Sequence, residues 1–148
     1  MQVLAHHSMA DCPHLDILVV SGGWGLRHHM QNASLLAWLR DRAAKAETVT
    51  AVCTSSLLLA SAGLLDRLDA TTHWRFLDSM RNTFPAVKVQ CEKHFVRNGR
   101  VFTSAGISAG IDMSLKVVED RFGEKIARAT ARRREYPYPD SDARRIQL

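Results

Sequence analysis

Three cysteines and seven histidines are the residues of this 148-residue sequence best suited to covalent or acid–base chemistry, and Cys53 is the one whose position points to it. It lies where a β-branched apolar run, Thr48-Val49-Thr50-Ala51-Val52, stops and a helical pattern, Ser55-Ser56-Leu57-Leu58-Leu59-Ala60-Ser61-Ala62, begins. A thiol at such a junction is lifted out of the chain by a sharp bend. The bend also sets it against a helix N-terminus, whose unpaired N–H groups and positive dipole end favour thiolate over thiol. This is the layout of a nucleophile elbow, and the residues two before and two after, Ala51 and Ser55, are small enough to allow it. The position equally suits a small buried hydrophobe closing a core strand. Spacing alone leaves both readings open.

Other reactive side chains offer less. His6-His7 and His28-His29 are adjacent pairs, which share neither a helix face nor a strand face and make poor metal sites. Cys12 and Cys91 sit in no motif, and three cysteines without a CxxC pair indicate a reducing, cytoplasmic setting rather than a disulfide framework.

The elements that must position Cys53 alternate strand and helix. Leu15-Asp16-Ile17-Leu18-Val19-Val20 reads as a central parallel strand buried on both faces, closed by Ser21-Gly22-Gly23-Trp24-Gly25. Leu35, Leu36, Trp38 and Leu39 form a helical stripe reaching about Ala46. After the elbow helix, Ala70 to Trp74 reads as a strand end. Phe76, Leu77 and Met80 then continue as a helix stopped before Pro85. Val87 to Gln90 alternates like a strand, and Phe95 to Phe102 contains Asn98-Gly99 between β-prone runs, the signal of a hairpin. A link of small residues, Ser104 to Gly110, leads to helices from about Ile111 to Phe122 and from Glu124 to about Arg134. The pattern predicts an α/β layer fold with a largely parallel sheet. It reads as one domain over residues 1–148, with residues 136–148, which contain Pro137 and Pro139, as a flexible tail.

A chain of this length with 46% apolar residues holds a proper core. No apolar run is long enough to span a bilayer, and the first residues lack the basic start and apolar centre of a signal peptide, so no membrane association is expected. The net charge of +5 is concentrated from Gly123 onward, where seven basic residues face four acids. Arg132, Arg133 and Arg134 point in different directions on a helix and make no groove-binding face, so direct nucleic-acid binding is not expected.

Five segments in order carry a family likeness: Val19-Val20-Ser21-Gly22-Gly23-Trp24-Gly25, Val52-Cys53-Thr54, Gly63-Leu64-Leu65, Ala70-Thr71-Thr72-His73-Trp74, and Thr103-Ser104-Ala105-Gly106-Ile107-Ser108-Ala109-Gly110-Ile111-Asp112. Together they resemble the ThiJ/PfpI family of the class I glutamine-amidotransferase-like superfamily. The nearest likeness is to the branch of isonitrile hydratases and of the sensing domains of AraC-type transcription regulators. The resemblance implies a flavodoxin-like three-layer sandwich with Cys53 as the reactive cysteine. It places the Thr54 N–H as an oxyanion donor, Gly23 as a second donor from the Gly22-Gly23 turn, and His73 as a base or as an imidazolium beside the thiolate. A capping or core role suits His73 equally. Gly22, Trp24 and Ser104 would line the pocket, and Asp112 would stand at a helix start for dipole reasons alone.

Two departures accompany the likeness. Ser55 stands where the family commonly has glycine. The family's opening strand, helix and further strand, with an acidic residue that serves the cysteine, have no counterpart before Ile17, and Asp11 and Asp16 lie too close to replace it. The expected function is hydration or hydrolysis of a small electrophilic substrate, with no cofactor and no metal. The alternatives are a ligand-sensing domain or a catalytically silent shortened homologue. A homodimer is expected, favoured by the sheet edge that the missing strand would leave.

Overall fold

A computed structural model describes residues 2–144. Four strands form the main sheet: β1 (Ile17–Val20), β2 (Thr48–Ala51), β5 (Phe95–Asn98) and β6 (Val101–Ser104), in the spatial order β1-β2-β6-β5. β1 pairs with β2 and β2 with β6 in parallel, while β5 and β6 are antiparallel. Two shorter strands, β3 (Asp69–Ala70) and β4 (Lys88–Val89), pair in parallel beside it, and Asn98 Nδ2 donates to the Asp69 carbonyl at 2.6 Å to join the two sheets.

α1 (Ala33–Lys45) and α2 (Ser55–Ser61) cover one face of the main sheet. Leu18, Ala51, Leu39, Leu57, Leu59 and Met80, the last from α3 (Leu77–Thr83), meet in that core. α4 (Ile107–Phe122) covers the other face through Met113 and Val117 on Phe95 and Phe102, and α5 (Glu124–Arg133) packs on α4. This is the mixed α/β, mostly parallel architecture that the alternation predicts.

Three details differ from the sequence reading. β1 is an edge strand: Leu18 is buried, but Ile17 is 36% and Val19 62% exposed. An apolar run reports that a strand can be covered on both faces, and here only the α1/α2 face of β1 is covered. The hairpin turns on Gly99-Arg100, because Asn98 still pairs with Val101, and Gly99 supplies the positive φ of +55°. α4 begins at Ile107, absorbing the small-residue link as its first turn. A Cβ on Gly110 would stand 2.9 Å from Val52 Cγ1, so the absence of one lets α4 lie close against the elbow strand.

The segment read as a flexible tail is held along its described part. Tyr136 donates its hydroxyl to Asp112 Oδ1 at 2.7 Å, and His94 Nε2 lies 2.9 Å from Asp112 Oδ2. Asp112 is wholly buried, the sixth residue of α4 rather than a residue of the helix start, so its carboxylate needs these partners. Further on, the His94 N–H donates to the Asp142 carbonyl at 2.6 Å and Lys93 Nζ reaches Asp142 at 2.8 Å. Arg144 donates to the Cys91 carbonyl and to Thr71 Oγ1. Residues 145–148 lie outside the described residues. Replacing Tyr136 by Phe removes a hydrogen bond to a buried charged group, so urea unfolding should show a loss of about 1.5–3 kcal/mol. A loss below about 0.5 kcal/mol would mean that the contact does not anchor the segment.

Candidate functional site

Between the end of β2 at Ala51 and the start of α2 at Ser55 the chain reverses, and Cys53 takes a φ of +60°. The left-handed region brings Cβ against the backbone and costs roughly 1–2 kcal/mol, so the surroundings must hold it. They do so at both backbone groups. The Cys53 N–H donates to Ser104 Oγ at 3.4 Å, and the Cys53 carbonyl accepts from Ser56 Oγ and Thr72 Oγ1, each at 3.1 Å. α2, with Leu57, Leu58, Leu59 and Ala60 all buried, fixes the elbow in the core.

The turn after β1 completes the elbow. A Cβ on Gly22 would lie 2.7 Å from the Val52 carbonyl oxygen and 3.1 Å from Cys53 Cβ, so only glycine lets this turn rest against the elbow. The Gly23 N–H donates to Thr54 Oγ1 at 3.0 Å. That amide, expected to face an oxyanion, is engaged with the neighbouring hydroxyl.

Two serines support the elbow from within the core. Ser104 is wholly buried and supports the Cys53 amide rather than lining the pocket. Ser55 is wholly buried, and its hydroxyl donates to the carbonyls of Val20 at 2.6 Å and Val52 at 2.8 Å. It ties the end of β1 to the elbow and does not line the cavity beside Cys53.

Cys53 is half-buried and opens on a cavity of about 430 Å³, a size suited to a small molecule. Gly22, Gly23, Trp24, Thr54 and His73 join Cys53 in its walls. Leu26, Met30, Val52, Leu57, Phe76 and Ile107 complete the apolar part, and Arg75 adds one cation. Trp24, 72% exposed, meets Phe76 edge-on with centroids 6.3 Å apart. A larger recess of about 830 Å³ lies between β5, α4 and the 138–142 segment, but its charges are spent on one another, as in Lys93–Asp142 and Arg128–Asp140.

Burial is the largest influence on the Cys53 thiol and pushes its pKa up, against the opposing effect of the Thr54 backbone N–H and hydroxyl. The thiolate preference expected of a helix N-terminus is therefore outweighed. His73 moves the other way: burial first, then the charges of Arg75 and Arg144, lower its pKa and keep the ring neutral at pH 7. Its Nδ1 accepts from the Arg75 N–H at 3.3 Å, which leaves the proton of the neutral ring on Nε2. Among the described residues no hydrogen bond joins His73 to Cys53.

Sequence reasoning missed Leu26, Met30, Val52, Leu57 and Ile107 as wall residues, and with them Arg75 and Phe76. The last two occupy a single 3-10 turn, Trp74–Phe76, too short for any periodicity to mark which side chain faces the cavity.

Comparison with known proteins adds to this geometry. Residues 1–120 match the model of the DJ-1/PfpI family. A protein of Pseudomonas putida named isonitrile hydratase is 39% identical over 144 residues, covering 97% of this chain and 62% of that protein. The HTH-type transcriptional regulator GbdR of Pseudomonas aeruginosa is 31% identical over 129 residues, covering 87% of this chain and 35% of the regulator. The crystal structure of a ThiJ/PfpI family protein from Pseudomonas syringae superposes with a TM-score of 0.78 at 33% identity, over 90% of this chain and 55% of that one. The fold is thus the flavodoxin-like one of this family, and the chain spans less than two thirds of the length of these relatives.

The balance at the thiol sets a pH dependence. The rate of Cys53 alkylation by iodoacetamide, measured with Cys12 and Cys91 replaced by serine, should rise with pH to a midpoint above that of free cysteine. Thr54→Val, which removes the stabilising hydroxyl, should move the midpoint higher. A midpoint below the free-cysteine value would show that the helix end prevails over burial.

Proposed function

From the premise that this chain belongs to the DJ-1/PfpI family, we propose that Cys53 is a nucleophile acting on an electrophilic carbon, and that the reaction is hydration of an isonitrile. One observation carries the reading: the only cysteine of the described residues in left-handed backbone is also the one that opens on a small-molecule cavity. The relative named isonitrile hydratase, matched along nearly the whole chain, supplies the substrate class.

The chemistry balances without a cofactor. Sulfur adds to the terminal isonitrile carbon as the thiol proton is lost and a proton reaches that same carbon, giving a thioimidate. Water adds to the thioimidate carbon, the C–S bond breaks, the thiol regains its proton and an N-substituted formamide leaves. The Thr54 N–H, already directed to the sulfur, stabilises charge as it moves off the thiolate. Gly23 acts one step back, its N–H holding the Thr54 hydroxyl in place. His73 holds the hydrating water or the developing anion through a hydrogen bond from its Nε2–H and keeps that proton, while the water's own protons pass to the imidate nitrogen and to the departing sulfur. The raised thiol pKa keeps the first step slow at neutral pH and faster above it.

A second reading has its own support. The likeness to the regulator GbdR and a thiol held protonated by burial both suit a pocket that binds a ligand without turning it over. In either case the free β1 edge, with Ile17 and Val19 exposed, supports pairing with a second copy of the chain.

Turnover decides between the readings. With an alkyl isonitrile, wild-type protein should release the formamide, detected by mass spectrometry, and Cys53→Ser should lower the rate at least about a hundredfold. Equal rates in the two proteins would remove Cys53 from the chemistry. No turnover by wild type would leave the sensing reading.

A further inference from the structure

Arg75 is the one cation in the wall of the Cys53 cavity, and no carboxylate shares that wall. Other arginines near acids are neutralised by them, as in Arg81–Asp78, Arg97–Asp120 and Arg121–Glu47. The Arg75 guanidinium instead rests 5.7 Å from the centre of the Trp74 ring, and among the described residues it has no acid and no carbonyl as partner. An arginine stacked on an indole keeps its in-plane N–H fork free for a planar anion.

Its charge has no evident task in the elbow. It bears on His73, while the Cys53 thiol is governed by burial and by Thr54. Apart from Cys53, Thr54 and His73, the side chains of the remaining wall are apolar, among them Trp24, Leu57 and Phe76. A ligand that fills it therefore meets three chemistries in one small space: a thiol with an N–H donor, an apolar and aromatic body, and an uncompensated guanidinium.

We propose that this pocket selects small apolar molecules that carry a carboxylate or similar planar anion away from their reacting end, and that Arg75 is the specificity-determining residue. The inference rests on the reading of the cavity as the substrate or ligand site. It adds the charge of the ligand, which neither the family nor the elbow dictates. Arg75 acts on affinity and selection, and bond making remains with Cys53.

The test separates binding from chemistry by using the Cys53→Ser protein, in which no covalent step intervenes. Fluorescence titrations with 2-naphthoate and 2-naphthamide compare two ligands of the same shape that differ in charge. With Arg75 present the carboxylate should bind about five- to tenfold more tightly than the amide, and the preference should shrink as salt is raised. Arg75→Ala should reduce it below about twofold, while Arg75→Lys, which keeps the charge, should retain most of it. Circular dichroism of each variant confirms folding. Equal affinity for both ligands, a preference that survives Arg75→Ala, or no saturable binding of either would overturn the proposal. A preference that follows Arg75 in the Cys53→Ser background, together with no isonitrile turnover by the wild-type protein, would defeat the hydratase reading and leave this one standing.

Discussion

The left-handed backbone at Cys53 is the constraint around which this structure is arranged. A side chain resists that conformation, and it persists because both backbone groups of the residue are held from outside the turn. Ser104 at the end of β6 takes the N–H, while Thr72, following β3, donates to the carbonyl, so strands distant in sequence converge on one residue. Gly22 and Gly110 lack the Cβ atoms that would force the β1 turn and α4 away from it. The elbow is thus a property of the whole sheet rather than of three residues.

The same packing that holds the elbow shapes its chemistry. Closing β1, β2, α2 and α4 around Cys53 removes water from the sulfur and raises the cost of a thiolate, which the Thr54 N–H and hydroxyl reduce but do not reverse. His73 is likewise kept neutral, and its contact with the Arg75 amide sets which nitrogen carries the proton. A site with a protonated thiol, a neutral imidazole and an arginine without an acid is poised for a ligand that brings negative charge or generates it.

Much of this was legible in the sequence, for identifiable reasons. The strand-to-helix junction at Cys53, the glycines after β1 and the presence of a hairpin around Gly99 are written in local pattern, and the order of motifs led to the family. What escaped depends on contacts between distant segments. β1 looks like an interior strand because apolar runs record the capacity for burial, whereas sheet order decides which face is covered. Asp112 looks like a helix-start acid until His94 and Tyr136 close on it, and Ser104 looks like a pocket residue until its hydroxyl is seen on the Cys53 N–H. Arg75 has no periodic neighbour to mark it, and only the fold brings it to the cavity of Cys53.

The central claim, that Cys53 is held in strained backbone by its surroundings, is tested most directly by comparing the unfolding free energies of Cys53→Gly and Cys53→Ala. Neither variant has the thiol, and they differ chiefly in tolerance of a positive φ. Glycine should be the more stable by about 1 kcal/mol, despite its greater freedom when unfolded. An alanine variant as stable as the glycine variant, or more so, would contradict the strained elbow and the account built on it.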